Sequence, residues 1–142
     1  MCLISIQLRQ HAVYKLVLVA NRDEQYDRPA LPAHFWPDHP DLLAGKDLGA
    51  RGTWLGITKQ GRIAAVTNSY LITTQESDQK LSRGNLVMDY LTGNIGPEGY
   101  LEQIRQQRTD YNGFNLLIGS SDSLHHYNNI LEEISIIQTG NH

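Results

Sequence analysis

Cys2 is the only cysteine in a chain of 142 residues, and it follows Met1 directly. Methionine is removed readily before small side chains, and its removal here gives one carbon both a free α-amine and a thiol. An α-amine titrates near roughly 8, so part of it is neutral at pH 7 and can serve as base for its own thiol. A lone cysteine elsewhere in a strand would read as a small buried hydrophobe; its place behind Met1 is what raises the reading of a nucleophile. A compact polar cluster, Asn21-Arg22-Asp23-Glu24, follows the apolar run Leu16-Val17-Leu18-Val19-Ala20. Four polar residues after a strand are often a solvated loop. Their chemical reading is an arginine beside a thiolate and an aspartate that holds the ammonium.

Other candidates carry less. Asn68 ends an apolar strand and is either a turn residue or an amide donor to an oxyanion. Gly45, Asp47, Gly52, Thr53, Trp54 and Gly56 form a glycine-punctuated stretch without the spacing of a phosphate-cradling loop. Trp54 in that stretch, with Asn21 and Glu24, is a candidate substrate contact, although tryptophan is more often core. The six histidines show neither HExxH nor CxxC-type spacing, so no metal site is expected. His125 and His126 are adjacent on a strand and point to opposite faces. Ser69 and Ser82 lack the GxSxG context of a serine nucleophile.

The elements that must position these residues follow from periodicity. Residues 2–9 alternate as a strand, Gln10-His11 is a polar break, and Tyr14 to Ala20 returns as a second strand. In such an antiparallel hairpin, the end of the second strand lies beside the start of the first, which brings Arg22 and Asp23 to Cys2. The second strand's apolar run predicts burial on both faces. Residues 21–52 hold four of the five prolines and read as mostly irregular, broken by a short strand at Leu42-Leu43-Ala44. Residues 53–58 and 62–68 read as strands joined by a turn at Gly61, with Asn68 ending a strand expected to border the first sheet. Residues 69–81 are polar and turn-like. Ser82 caps a helix to about Thr92, and Pro97 opens a second to about Arg108. Strands at 113–119, 124–127 and 134–137 close the chain, with no closing element after them. Hairpins of strands around two helices give an α+β class with mainly antiparallel sheet.

Composition narrows the function. The chain is 40% hydrophobic and 19% charged with a net charge of −3, ordinary for a globular domain and without a basic block for nucleic acid. No segment approaches the ~20 apolar residues of a membrane span, and the N-terminus lacks the basic and apolar regions of a signal peptide. The default location is cytoplasmic, where a free thiol is at home. No cofactor is called for, and no oligomeric state follows.

Met1-Cys2, Ala20-Asn21-Arg22-Asp23-Glu24 with Arg28-Pro29, Ala44-Gly45-Lys46-Asp47, Gly52-Thr53-Trp54-Leu55-Gly56, Thr67-Asn68, Ser82-Arg83-Gly84 and Tyr111-Asn112-Gly113-Phe114-Asn115 resemble, in order, the NRDE family, also called the transport and Golgi organisation family. The resemblance implies an N-terminal-nucleophile (Ntn) hydrolase-like fold, a four-layer αββα sandwich. It implies Cys2 as nucleophile, Arg22 and Asp23 as its supports and Asn68 as oxyanion donor, in a cysteine hydrolase of non-peptide C–N (amide) bonds on a small-molecule substrate. It implies equally a non-enzymatic trafficking protein for haem or an acyl-lipid ligand. Arg51 stands where many members are glycine-rich. Members run on past this length, so the chain, residues 1–142, is expected to be the N-terminal part of a single longer domain, truncated at its C-terminus.

Overall fold

A computed structural model describes residues 2–69, 77 and 79–142. Ten strands and two helices follow in the order β1 (Ile4–Leu8), β2 (Leu16–Ala20), β3 (Ala30–Trp36), β4 (His39–Asp47), β5 (Leu55–Thr58), β6 (Ile63–Asn68), α1 (Arg83–Thr92), α2 (Pro97–Gln106), β7 (Phe114–Gly119), β8 (Leu124–Asn128), β9 (Glu133–Ile136) and β10 (Gly140–Asn141). The strands form a three-stranded sheet, β10-β1-β2, and a seven-stranded sheet, β3-β4-β5-β6-β7-β8-β9, with every strand pair antiparallel. The expected α+β class with mainly antiparallel sheet is what the chain forms.

Alternation in the sequence decides how the layers stack. Ile6 and Leu8 of β1, with Ile4, Leu16 and Leu18, pack on Ile63, Ala65, Leu117 and Leu124 of the large sheet. Burying a side chain of this size is worth about 1.5–3 kcal/mol, so this interlayer core holds the small sheet in place. The opposite face of the large sheet presents Ala64, Val66, Leu116 and Ile118 to the helices. Leu86, Val87, Tyr90 and Leu91 of α1, and Tyr100, Leu101 and Ile104 of α2, lie at helical spacing and close that second core. The order of layers is therefore helices, large sheet, small sheet.

Both ends of α1 are tied down. At its start the Ser82 hydroxyl accepts from the Gly84 N–H at 3.3 Å. At its end the Arg62 guanidinium donates to the Tyr90 carbonyl (2.6 and 3.1 Å) and to the Ile95 carbonyl (2.8 Å), and lies 4.0 Å over the Tyr90 ring. A cation supplied by the neighbouring strand thus satisfies carbonyls that the helix cannot.

Several expectations need correction. Residues 21–52 are not mostly irregular, because β3 and β4 form a hairpin across Pro37 and Asp38. The prolines misled because β3 is the edge of the large sheet, where a missing N–H is tolerated, and Pro32 falls within a register shift between Leu31 and His34. β6 does not border the first sheet; it belongs to the large sheet stacked beneath it, since its inward face is needed there for the interlayer core. β2 is not buried on both faces, for Val19 is 65% exposed and no described element covers that side. The chain also has a closing element: β10 pairs with β1 through Gln7↔Asn141 and Leu8↔Gly140. Strand 53–58 begins only at Leu55, and the second helix ends at Gln106, followed by a 3-10 turn at Arg108–Asp110. Most of 69–81 lies outside the described residues.

Arg62→Ala is expected to lower unfolding free energy by about 2 kcal/mol, the scale of charge-assisted hydrogen bonds, measured by urea denaturation. Arg62→Lys should recover less than half of it, because an ammonium cannot reproduce the fork that reaches two carbonyls.

Candidate functional site

The β1–β2 register runs from Leu8↔Leu16 to Ile4↔Ala20. Beyond it the Asn21 N–H donates to the Leu3 carbonyl at 3.2 Å, and the Leu3 N–H donates to Asn21 Oδ1 at 2.8 Å. The Asn21 side chain thereby extends the ladder by one step and fixes the residue after Cys2. Cys2 comes next in line. The Asp23 N–H donates to Cys2 Sγ at 3.3 Å, and Sγ lies 3.8 Å from the Asp23 carbonyl oxygen. The hairpin has brought the thiol and the Arg22-Asp23 segment together, and the direct contact is with the backbone of Asp23.

Arg22 is held by a carboxylate further along the chain. Its Nη2 is 3.2 Å from Asp47 Oδ2, and Arg28 Nε donates to the same oxygen at 2.8 Å. Asp47 Oδ1 accepts from the N–H groups of Gly49 and Ala50 at 2.9 and 3.0 Å. Glu24 completes the set, 3.4 Å from Arg28 Nη1 and 4.0 Å from Arg22 Nη2. Burial opposes ionisation of Asp47, but the Ala50 and Gly49 N–H groups and the Arg28 charge outweigh it and hold the carboxyl below its ordinary value of 3.8. Arg51, next to this turn, takes φ 61°, the left-handed backbone that favours glycine.

The Arg22 guanidinium also stacks 4.5 Å over the Trp54 ring. That indole lies directly on Gly45, where an added Cβ would come within 2.6 Å of the ring. A second close approach sits beside it, since a Cβ on Gly52 would meet the Gly84 carbonyl carbon at 2.9 Å. These two contacts explain glycines inside otherwise unremarkable segments. They let Trp54 support Arg22 and let the start of α1 approach the loop before β5.

Two hollows open beside Cys2. One is a cleft of about 420 Å³ on the helix side, lined by Arg22, Asp23, Asp47, Trp54 and Arg83 among others. The other is a cavity of about 410 Å³ between the sheets, walled by Leu3, Ile4, Ile6, Leu117 and Ile137. Cys2 and Asn68 line both. Asn68 comes to this position from the facing layer, at the end of β6.

Of the residues singled out in the sequence, Cys2, Arg22, Asp23, Glu24, Trp54 and Asn68 gather at the cleft. Asn21 lies outside its lining and is engaged with Leu3. Asp47, Arg28 and Arg83 also line the cleft and were not among the site candidates. Arg28 stands four residues after Glu24, a spacing that signals an ion pair. Asp47 carries no such signal, because its role depends on the β3–β4 hairpin, which local sequence does not reveal. His126 and Asn115, at the polar end of the inter-sheet cavity, were missed as well.

Fold and site together define an α+β protein with a thiol at the head of its first strand, packed against the loop that follows the second. Comparison with known proteins makes the assignment particular. The profile of the Transport and Golgi organisation 2 family matches residues 1–142, and the chain belongs to that family. It is 40% identical over 124 residues to the mouse Transport and Golgi organization 2 homolog, covering 82% of this chain and 44% of the relative. It is 39% identical over 124 residues to the human homolog, with the same coverage of each. With the Drosophila Transport and Golgi organization protein 2 it shares 32% identity over 120 residues, 76% of this chain and 42% of the relative. The chain thus spans less than half the length of these relatives. Among the described residues, no helix is long and apolar enough to cross a membrane.

Asp47→Asn is expected to cost about 2–3 kcal/mol near neutral pH, since it leaves two arginines partly buried without their countercharge. Folding lowers the Asp47 pKa, so its stabilisation is complete above the unfolded-state value and is lost as pH falls through the lower folded value. Thermal melts between pH 7 and pH 3 should therefore show the wild-type advantage shrinking at the acid end; a constant gap would contradict the assignment. Gly45→Ala should displace the indole, at about 1–3 kcal/mol, and alter Trp54 fluorescence.

Proposed function

We propose that this chain carries the nucleophile of an Ntn-type cysteine hydrolase acting on a non-peptide C–N (amide) bond of a small molecule, and that its three layers correspond to part of an αββα sandwich. The observation that carries the reading is the position of Cys2, whose Sγ accepts from the Asp23 N–H at 3.3 Å at the place where the two hollows meet. Asn68, the amide expected to hold the oxyanion, lines the same two hollows as Cys2.

With Met1 removed, the α-amine takes the thiol proton and Sγ attacks the substrate carbonyl carbon. Asn68 and a backbone N–H hold the oxyanion. The C–N bond then breaks, and the amine leaves with the proton returned by the α-ammonium, giving a thioester. Water attacks that thioester, releases the carboxylic acid and restores the thiol. Asp23 holds the ammonium. Arg22, fixed between Asp47 and Trp54, supplies positive potential to the cleft. Glu24 and Trp54 contact substrate there, and Asn21 serves by anchoring the strand. The reaction suits a cytoplasmic setting, where the thiol stays reduced.

One observation favours a second reading. The cavity between the sheets is mainly apolar, and a non-enzymatic carrier of haem or an acyl ligand would need such a cavity without any nucleophile. The names of the relatives refer to transport and Golgi organisation.

A reagent selective for 1,2-aminothiols is expected to label the wild-type protein and fail on Cys2→Ala, with intact mass reporting one adduct and loss of Met1. Retention of Met1 with no labelling would remove the hydrolase reading. A Soret shift on haem titration that persists in Cys2→Ala would support the carrier instead.

A further inference from the structure

We propose that the outer edge of β9 is the surface through which this chain pairs with a second copy of itself, the two β9 strands running antiparallel about a two-fold axis at Ser135 and joining the large sheets of both copies into one. The inference does not depend on the hydrolase reading.

The large sheet ends in two edge strands that differ. β3 carries Pro32 within a register shift, and both features discourage the addition of another strand. β9 pairs with β8 on one side and, among the described residues, with no strand on the other. It holds no proline or lysine, and its ladder with β8 runs unbroken from Asn128↔Glu133 to His125↔Ile136. The Ile137 N–H donates to the Leu124 carbonyl at 2.9 Å, so the backbone of Ile137 points toward β8. By alternation, Ile136 and Ile134 direct their N–H and C=O groups away from it. The Ile136 carbonyl accepts instead from Gln138 Nε2 at 3.1 Å, a side chain standing in for a strand. The side chains of the same two residues lie on the helix face, beside Tyr127 and His125. Ile134 is 45% exposed and Ile136 55%.

A second copy fits this edge because the edge is complementary to itself. With the axis at Ser135, Ile134 of one copy stands opposite Ile136 of the other, and each such pair exchanges both backbone hydrogen bonds. An axis at Ile134 or at Ile136 leaves a single pair of this kind within the strand. On the helix face the isoleucines of both copies form one apolar row of β-branched cross-strand neighbours. On the opposite face Ser135 meets Ser135, and Glu133 of one copy meets Ile137 of the other, so no like charges are opposed.

The helices agree with this arrangement. α2 starts with Glu98 at 3.5 Å from His125 of β8, and Arg108, just past its end, lies 2.9 Å from Glu132. Its charged row is therefore acidic at the start, Glu98 and Glu102, and basic at the end, Arg105 and Arg108. The two-fold axis turns one α2 antiparallel to the other. The acidic start of each helix then faces the basic end of its counterpart, which is the complementarity that selects a second copy.

Sedimentation equilibrium of the full chain between about 5 and about 500 µM is expected to show the mass rising toward twice that of the monomer, since a strand-edge contact of on the order of 1,000 Å² belongs to the weak class of interfaces. Ile136→Lys should weaken association at least about tenfold at an unchanged thermal midpoint, because the side chain is already in solvent. Arg105→Glu should weaken it about fivefold, and adding Glu98→Lys should restore it by returning opposite charges across the axis. Hydrogen exchange at the Ile134 and Ile136 amides should slow as concentration rises, in the wild type and not in Ile136→Lys. A monomer throughout the range with rapidly exchanging amides overturns the proposal. So does a monomer in which those amides are protected, for the edge is then covered by residues of its own chain. A dimer indifferent to Ile136→Lys places the interface elsewhere, and a double variant no better than Arg105→Glu overturns the two-fold arrangement. Should Ile136→Lys melt early, the concentration dependence of the wild-type amides decides alone.

Discussion

A single carboxylate organises the charged side of the molecule. Asp47 stands at the end of β4 and accepts on both oxygens, from two arginines at one and from two backbone N–H groups at the other. Each partner comes from a different part of the problem. Arg22 belongs to the loop that touches the thiol, Arg28 leads into the edge strand β3, and Gly49 and Ala50 form the turn after β4. An exposed ion pair contributes little to stability, but this carboxylate is only 8% exposed and satisfied by four donors, so its partners are set geometrically as well as electrostatically. The segment carrying Asp23 is placed by the same contacts, because Arg22 cannot leave Asp47 without moving its neighbour.

Trp54 transmits that constraint to the sheet. Its indole is clamped between the Arg22 guanidinium and the bare backbone of Gly45, and β4 is the strand on which both Gly45 and Asp47 lie. The arginine is thus gripped twice by one strand, once at its charge and once through an aromatic ring. Cys2 itself belongs to the other sheet. The site is a seam between layers, and its two hollows inherit the polarity of the faces that bound them.

The sequence made much of this legible where local rules operate. The β1–β2 hairpin follows from alternation, and hairpin geometry alone was enough to bring Asp23 to Cys2. Ser82 and Pro97 marked the helix starts because capping and N1 preferences are local. What stayed hidden depends on neighbours distant in the chain. Proline at 32 argues against a strand unless the strand is known to be an edge, and edge status is a property of the finished sheet. Asp47 gave no sign of its role for the same reason. That β6 belongs to the facing layer was equally out of reach, since Ile63 and Ala65 read as inward on either sheet. His126 and Asn115 meet only when β7 and β8 pair, through Leu117↔His126 and Asn115↔Asn128.

The pairing of β1 with β10 has a consequence for the order of events during synthesis. Ile6 exchanges both backbone hydrogen bonds with His142, each at 2.8 Å, so one side of the strand behind Cys2 is completed by residues made some 130 positions later. At ribosomal speeds of about 5–20 residues per second, that partner arrives on the order of ten seconds after Cys2 is polymerised. Throughout that interval β1 has only its hairpin partner β2, made within the first twenty residues, and lacks its neighbour on the other side. The thiol at the head of β1 is therefore in place long before the small sheet that carries it is complete.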